Sequence, residues 1–328
     1  MQNVQRKHGP SGLVEATIAE LRAAPLLALL VFVPGVSLTD IASPESHTLL
    51  FILSVLAIIP LAALLSRATE AVSARTGDAV GGLLNATLGN LTELVISLAA
   101  LQAGEYLLVK ASIAGAIVTH TLVILGGSFL LGGLKHHLQE FNRVSARFQA
   151  SLLFLATVAL FVPSLVSRAD QGPEMVQALS LGLAVILIAV YAMGMLFSLK
   201  THRELFASVG EAEEHHGGWG LSTSIIILVV VTLFVAVISE VFVGSVQAAA
   251  EKMGMTPAFV GFIVVALVGA AAEMTAAFSA ARANRLDLSV GIALGSASQI
   301  ALFVAPVLVI VSYFIGPEPM SPPFCPCA

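Results

Sequence analysis

Charged side chains are scarce in this sequence. Asp, Glu, Lys and Arg together make up 11% of the 328 residues, whereas 57% are hydrophobic and the mean hydropathy is +0.96. Ordinary soluble domains carry about a quarter charged residues. A soluble core of this apolarity would expose large apolar patches, and no hydrophilic stretch is long enough to form a soluble domain. The composition therefore predicts a multi-pass integral membrane protein that lies in a lipid bilayer and has no nucleic acid among its partners.

Cysteine and enzyme motifs are almost missing as well. The two cysteines, Cys325 and Cys327, lie in a Pro-rich tail, where we expect a solvated segment and not a metal site. The HExxH motif of an intramembrane metalloprotease does not occur. We therefore expect that the protein is not an enzyme and holds no resident cofactor.

Nine apolar stretches are long enough to cross a bilayer, because a hydrocarbon core about 30 Å thick requires about 20 helical residues. They lie at 24–42, 47–66, 81–103, 106–132, 147–167, 174–199, 221–246, 256–281 and 287–315. Lipid offers the backbone no hydrogen-bond partner, so spanning segments are helices or closed barrels. Alternating β segments are absent, and we predict an all-α membrane bundle.

The basic residues indicate how this bundle is oriented. If the N-terminus is cytoplasmic, 12 of the 15 Lys and Arg residues fall on the cytoplasmic side, and Lys110, Arg168 and Lys252 fall on the other. Cytoplasmic loops of membrane proteins carry such an excess. We predict a cytoplasmic N-terminus in a prokaryotic plasma membrane, because residues 1–23 show neither a signal nor a transit peptide.

An internal repeat appears when the chain is compared with itself at an offset of 180 positions. The first copy begins at the third apolar stretch and the second at the eighth, so an odd number of spans separates them. The two copies therefore cross the membrane in opposite directions, as in alternating-access transporters whose site lies at the repeat interface. The most informative matched pairs are Gly81 with Gly261, Gly89 with Gly269, Glu93 with Glu273, and Gly115 with Gly295.

Three carboxylates lie inside the predicted spans: Glu93, Glu240 and Glu273. A charge at the centre of a bilayer costs at least about 2.5–3.5 kcal/mol, so such residues are usually functional. Glu93 and Glu273 are repeat mates near the middle of their spans, and we expect no basic residue there to neutralise them. Glu240 lies nearer the outer interface, where a solvated acid and a role in ion access are both open.

Two inward-facing carboxylates match the charge of one divalent cation. Ca²⁺ binds 6–8 oxygens from carboxylates, amides and backbone carbonyls. With the cation gone, two protons can replace it and keep the site neutral, which is a minimal rule for antiport. Polar and small residues share helix faces beside both acids, although faces of this kind also serve plain helix packing. These neighbours are Gly89, Asn90 and Ser97 in the third stretch, Ser112, Gly115, Ala116 and Thr119 in the fourth, Gly269 in the eighth, and Gly295, Ser296 and Gln299 in the ninth.

Two runs resemble the signatures of the calcium/proton exchanger family, part of the cation/Ca²⁺ exchanger superfamily. They are GGLLNATLGNLTELVISLAAL at 81–101, continued at 110–134, and VGAAAEMTAAFSAARANRLDLSVGIALGSASQIALFV at 268–304. The resemblance implies an inverted-repeat bundle of eleven helices with Ca²⁺ held between Glu93 and Glu273. It also implies a cytoplasmic acidic helix around 204–216.

The resemblance divides the chain into six segments, and the second repeat is expected to lack two helices. The expected segments are an N-terminal cytoplasmic segment (1–23), a leading helix (24–42), a first repeat (47–199), a cytoplasmic acidic loop (200–220), an incomplete second repeat (221–315) and a tail (316–328). About nine of the eleven helices would then be present.

Three positions depart from the family pattern. Ala270 stands where Asn is usual, Met274 stands where His is usual, and His120 stands where Asn is usual. A titratable group has therefore moved into the first repeat. His120 is a candidate for a proton-carrying role, with a packed, hydrogen-bonded histidine as the alternative.

The sequence therefore predicts a Ca²⁺/H⁺ antiporter that works by alternating access. The predicted cation ligands are Glu93, Glu273, Asn90, Gly89, Gly269, Ser296 and Gln299. The alternatives are Mn²⁺ as the cation, Na⁺ as the counter-ion, and a shortened protein that is inactive or regulatory. A homo-oligomer is left open.

Overall fold

The computed structural model describes residues 25–76, 78–168, 173–205 and 220–320, and all regular structure in these ranges is helical. A 3₁₀ turn, Pro25–Val31, leads into the first helix. The first eight helices are α1 (Phe32–Ala42), α2 (His47–Ser73), α3 (Asp78–Leu88), α4 (Leu91–Gln102), α5 (Tyr106–Val118), α6 (Leu125–Gly133), α7 (Arg143–Arg168) and α8 (Pro173–Leu196). The others are α9 (Leu221–Lys252), α10 (Pro257–Phe259), α11 (Ala266–Gly269), α12 (Ala271–Arg282), α13 (Leu286–Gln299) and α14 (Ala305–Val311).

Four wide π-helical segments connect or extend these helices. They are Thr119–Ile124 between α5 and α6, Phe197–Thr201 after α8, Val260–Val265 between α10 and α11, and Ile300–Val304 between α13 and α14. A short 3₁₀ turn, Arg203–Leu205, follows the second of them. Such π segments often mark functional sites.

Each predicted stretch is helical, and six helical runs are long and apolar enough to cross a membrane. They are His47–Ser73, Tyr106–Gly133, Arg143–Val166, Glu174–Thr201, Leu221–Lys252 and Leu286–Val311. The pair Pro257–Gly269 and Ala271–Arg282, bent by 55°, makes a seventh candidate span. The first and third predicted stretches form shorter apolar helices, Leu26–Ala42 and Leu91–Gln102. The all-α membrane fold is therefore confirmed, with six or seven candidate spans in the described part of the chain.

Two helices are broken at equivalent places in the internal repeat. α3 and α4 are separated by Gly89 and Asn90, and α11 and α12 are separated by Ala270, which is 180 positions after Asn90. The π segments at 119–124 and 300–304 are related by the same offset. The offset found in the sequence thus recurs in the interruptions of the helices.

The centre of the bundle is the long packing interface between α2 and α9. Phe51 stacks on Phe242 with ring centroids 5.4 Å apart, and Leu61, Val235 and Ile238 are buried in the same cluster. The helices that carry the candidate site pack around this pair.

The glycines of the repeat bring α5 and the 260–265 segment into close contact. A Cβ atom on Gly261 would lie 2.7 Å from the carbonyl oxygen of Leu108, and one on Gly115 would overlap the backbone of Phe262. Glycine is therefore required at both positions by backbone-to-backbone contact. Gly115 therefore serves helix packing. The Ser112 hydroxyl donates to the carbonyl of Val109 in its own helix, so it too has a structural role here.

Lys110 and the chain end both contact the bundle. Lys110, predicted to lie on the outer side of the span 106–132, is buried in the second turn of α5. Residues 316–320 pack against the bundle: Met320 is buried, and the hydroxyl of Tyr106 contacts both the N–H and the carbonyl of Glu318. Cys325 and Cys327 lie outside the described residues, as does the acidic stretch with Glu211, Glu213 and Glu214.

Candidate functional site

Glu93 and Glu273 both lie in the first turn of a helix that begins at a break, α4 and α12 respectively. The N-terminus of a helix carries a partial positive charge that favours a nearby carboxylate. Glu93 is 8% exposed and the side chain of Glu273 is 14% exposed. Each break therefore places a nearly buried acid in the first turn of a helix.

The carboxylate of Glu273 is held by residues from two other helical elements. Ser296 on α13 donates from Oγ to Oε1 at 3.0 Å, and Nε2 of His120 contacts Oε2. His120 lies in the π segment after α5 and its side chain is fully buried. Both oxygens of Glu273 are thus oriented, one by each repeat.

The second ring nitrogen of His120 faces the carbonyl of Ala116 at 2.7 Å. A carbonyl oxygen only accepts hydrogen bonds, so Nδ1 must carry a hydrogen. Nε2 then has either a lone pair or a second hydrogen. Because Nε2 contacts Oε2 of Glu273, one hydrogen must lie between these two atoms.

The first-repeat acid is surrounded by amides and glycines. Asn90 donates from Nδ2 to Oε1 of Gln299 at 2.7 Å, which links the first break to α13. A Cβ atom on Gly269 would lie 2.9 Å from Oε1 of Glu93, and one on Gly89 would lie 3.5 Å from Oε1 of Gln299. Oδ1 of Asn90 and Oε1 of Glu93 are buried and have no hydrogen-bond partner among the described residues. Glu93 also lies within electrostatic range of Glu273 and His120.

A cavity of about 670 Å³ leads to Glu273 from one end of the bundle. Glu140 and Arg285 line it at the loop end, and Gly89, Ser296 and Gln299 line it near Glu273. It runs between α3 and α13, whose residues Asn85, Gly291 and Gly295 face it. The repeat offset relates α3 to the 260–265 segment and α13 to α5. Between α5 and the 260–265 segment there is close packing in place of a cavity, because of the glycines described above.

Glu70 is a residue of this cavity that the sequence interpretation missed. The predicted second span ended at residue 66, but α2 continues to Ser73 and carries Glu70 to the cavity wall. Its side chain is exposed to the cavity. The available signal was the absence of Gly or Pro from residue 61 to residue 76, which allows the helix to continue.

Glu240 does not join this group. It is exposed on α9 and does not line the cavity. The other eight predicted site residues form three groups in the structure: His120, Glu273 and Ser296; Gly89, Asn90 and Gln299; and Glu93 with Gly269.

Among the described residues, no group of three or more His, Cys, Asp and Glu side chains is arranged to hold a metal ion. The other side-chain oxygens in this region belong to the Ser296 hydroxyl and to the amides of Asn90 and Gln299. Ca²⁺ accepts oxygens of this kind in irregular geometry. The arrangement is chemically suited to a hard divalent cation that enters from the cavity.

Known proteins are similar to this chain in sequence and in fold. The profile of the family described as "Sodium/calcium exchanger protein" matches residues 46–200 and 223–324. A Ca(2+)/H(+) antiporter of Aphanothece halophytica is 41% identical over 315 residues, covering 91% of this chain and 84% of the relative. The Ca(2+)/H(+) antiporter ChaA of Bacillus subtilis is 42% identical over 268 residues, covering 81% of this chain and 76% of the relative.

Two solved structures agree with the fold. The structure of native YfkE is 38% identical in sequence and superposes with a TM-score of 0.75, covering 89% of this chain and 84% of that chain. The H+/Ca2+ exchanger CAX superposes with a TM-score of 0.67 at 18% identity, covering 90% of this chain and 75% of that chain, and this likeness shows the fold alone.

Proposed function

The chain belongs to the sodium/calcium exchanger protein family, and we propose that it is an antiporter that exchanges Ca²⁺ for protons across a bacterial plasma membrane. Relatives about 40% identical over most of the chain are named Ca(2+)/H(+) antiporters, and both relatives given above are bacterial. The observation that carries the proposal is the position of Glu273. It lies at the inner end of the cavity, tied to both repeats, beside a second buried carboxylate.

The cation is held by oxygens from both repeats. Glu93 and Glu273 supply two negative charges, which balance one Ca²⁺. Ser296, Gln299 and Asn90 supply neutral oxygens, and the C-terminal ends of α3 and α11 at the two breaks are candidate sources of backbone carbonyls, since the last carbonyls of a helix have no partner within it. The unpartnered oxygens of Glu93 and Asn90 support this set, because buried polar atoms normally have a partner.

Proton exchange takes place at the contact between His120 and Glu273. Nδ1 donates to the carbonyl of Ala116, so the contact between Nε2 and Oε2 is a hydrogen bond that needs one hydrogen between these two atoms. A cation that binds Oε2 takes the place of that hydrogen. Cation and proton therefore exclude each other at one carboxylate oxygen, which is the condition for obligatory exchange.

The unequal packing of the two repeats supports alternating access. On one side the 260–265 segment is packed tightly on α5, and on the repeat-related side a cavity separates α3 from α13. With the N-terminus in the cytoplasm, the cavity opens to the cytoplasm and the closed contact faces outward. If the 260–265 segment moved away from α5 and α3 packed against α13, the site would open to the other side of the membrane.

Uptake of radioactive Ca²⁺ into proteoliposomes under an imposed pH gradient tests the function. We expect rapid uptake by the wild-type protein that collapses with the gradient. We expect none from Glu93→Gln or Glu273→Gln, since each removes one of the two balancing charges. Glu251→Gln, at the exposed end of α9, is the matched control and should transport normally.

Two results would contradict the proposal. Near wild-type exchange by either signature variant would show that the site is elsewhere. Uptake driven by a Na⁺ gradient, with no response to pH, would replace the proton by Na⁺ as the counter-ion.

A further inference from the structure

His120 is oriented as metal-binding histidines are. Such a histidine usually donates its other ring N–H to a carboxylate or a backbone carbonyl, which fixes the ring. Here Nδ1 donates to Ala116 and Nε2 points to the Glu273 carboxylate. The ring is completely buried in a π segment, so the surrounding helices hold it in this orientation.

The carboxylate beside Nε2 is held in place as well. Ser296 fixes the Oε1 side of Glu273, so Oε2 and the imidazole nitrogen form a nitrogen–oxygen pair of set direction. The cavity reaches Glu273, so an ion that enters it arrives at the carboxylate that Nε2 contacts, while His120 itself lies behind the cavity wall. An imidazole nitrogen suits first-row transition-metal dications, whereas Ca²⁺ and Mg²⁺ prefer oxygen ligands.

We propose that His120 Nε2 is a cation ligand that lets the exchanger bind transition-metal dications of the Co²⁺ and Zn²⁺ class in competition with Ca²⁺. This rests on the proposed function, in which Glu273 binds the transported cation. His120 is then a specificity-determining residue, and the ion is held by Nε2 together with Glu273 and the neighbouring hydroxyl and amide oxygens.

A purely structural role for His120 makes a different prediction. If the ring only hydrogen-bonds to Glu273, its removal should change the binding of every dication in the same proportion. If Nε2 is a ligand, its removal should weaken Co²⁺ binding much more than Ca²⁺ binding. The ratio of the two affinities therefore separates the two roles, whatever happens to the transport rate.

The experiment measures inhibition by Co²⁺ of Ca²⁺ uptake in proteoliposomes. The test variant is His120→Asn, whose side-chain amide can still donate to Ala116 but offers no atom in the place of Nε2. His137→Asn is the matched control, a histidine exposed in the loop after α6. The measured quantity is the ratio of the half-inhibitory Co²⁺ concentration to the half-saturating Ca²⁺ concentration. In His120→Asn we expect this ratio to rise about tenfold or more, as for the loss of metal-site interactions elsewhere.

Two transport results would overturn the proposal. One is an unchanged ratio in His120→Asn. The other is a wild-type protein that Co²⁺ inhibits only at concentrations more than about tenfold above half-saturating Ca²⁺, since an added nitrogen ligand should favour Co²⁺.

Equilibrium binding of Co²⁺ to the purified protein in detergent, followed by its visible absorption, decides the matter without transport. We expect a Ca²⁺-displaceable Co²⁺ band in the wild-type protein and in His137→Asn that is lost in His120→Asn. His120→Ala serves if the Asn variant does not fold. If the wild-type protein binds Co²⁺ in this way but does not exchange Ca²⁺, the proposed function alone is refuted. If substitution of His120 leaves the Co²⁺ band unchanged, the role of His120 alone is refuted.

Discussion

The close approach of Gly269 to Glu93 gives a prediction whose size follows from the structure. A Cβ atom at position 269 would lie 3.1 Å from both Cγ and Cδ of Glu93 and 2.9 Å from Oε1. Carbon atoms pack best at about 3.5–4.0 Å, so in Gly269→Ala the acid must move by about 0.4–0.9 Å. Because Cγ is involved, the whole side chain must rotate and not only its end.

A displacement of this size should affect transport more than folding. Functional groups must be held within about 0.5 Å, and a misplacement of about 1 Å can cost a factor of about 100. We expect the half-saturating Ca²⁺ concentration of Gly269→Ala to rise about 10- to 100-fold, or about 1.4–2.7 kcal/mol. The unfolding temperature should change little, since alanine favours a helix more than glycine does.

The assay is the initial rate of Ca²⁺ uptake as a function of Ca²⁺ concentration, with thermal unfolding in detergent measured in parallel. Gly182→Ala is the matched control, because no heavy atom lies within 4 Å of a Cβ atom at that position in α8. It should transport like the wild-type protein. Wild-type Ca²⁺ dependence in Gly269→Ala would show that the position of the Glu93 carboxylate is not critical and would refute the reasoning.

Three further predictions concern the amide pair, the cavity and the closed contact. Alanine substitutions of Asn90 and Gln299, alone and together, should give a coupling energy of about 0.5–1.5 kcal/mol in Ca²⁺ affinity, as expected for one hydrogen bond, and additive effects would exclude it. Glu70→Gln should slow uptake from the cavity side a few-fold at low Ca²⁺ and low salt, and a loss that persists at high salt would argue against an electrostatic role. Gly115→Ala should destabilise the protein by about 1–3 kcal/mol through backbone overlap, whereas Gly126→Ala, with open space, should not, and equal thermal unfolding of the two would contradict the packing.

Much of the site could be predicted because its chemistry is rare in a membrane. Glu93 and Glu273 stand out as carboxylates in apolar stretches, and their offset of 180 positions relates them by the repeat. Ser296 and Gln299 follow from helix periodicity, which places them on one face, and the structure indeed brings them to Glu273 and Asn90. Local spacing was sufficient for these residues.

Other features depend on long-range packing that local spacing does not contain. The contact between His120 and Glu273 joins residues 153 positions apart, and a departure from the family pattern was its only signal. The limit of α2 was placed at residue 66 because hydropathy falls there, although the helix continues to Ser73 and brings Glu70 to the cavity. The unequal packing of the repeats could not be predicted either, because similar sequences do not specify which of two packings is formed.

The long central pair, α2 and α9, has a consequence for the membrane itself. With 32 residues α9 is about 48 Å long, and its apolar stretch, residues 221–246, is itself about 39 Å long, which is greater than a hydrocarbon core of about 30 Å. The apolar stretch of α2, residues 47–66, is about 30 Å long and matches that core. Helices too long for their bilayer tilt or thicken it locally. Because α2 and α9 pack along each other, they must tilt as one unit, and the angle of that unit sets the angle of the helices packed on it. Hydrophobic mismatch is therefore transmitted to the site, so lipid chain length becomes a variable of exchange.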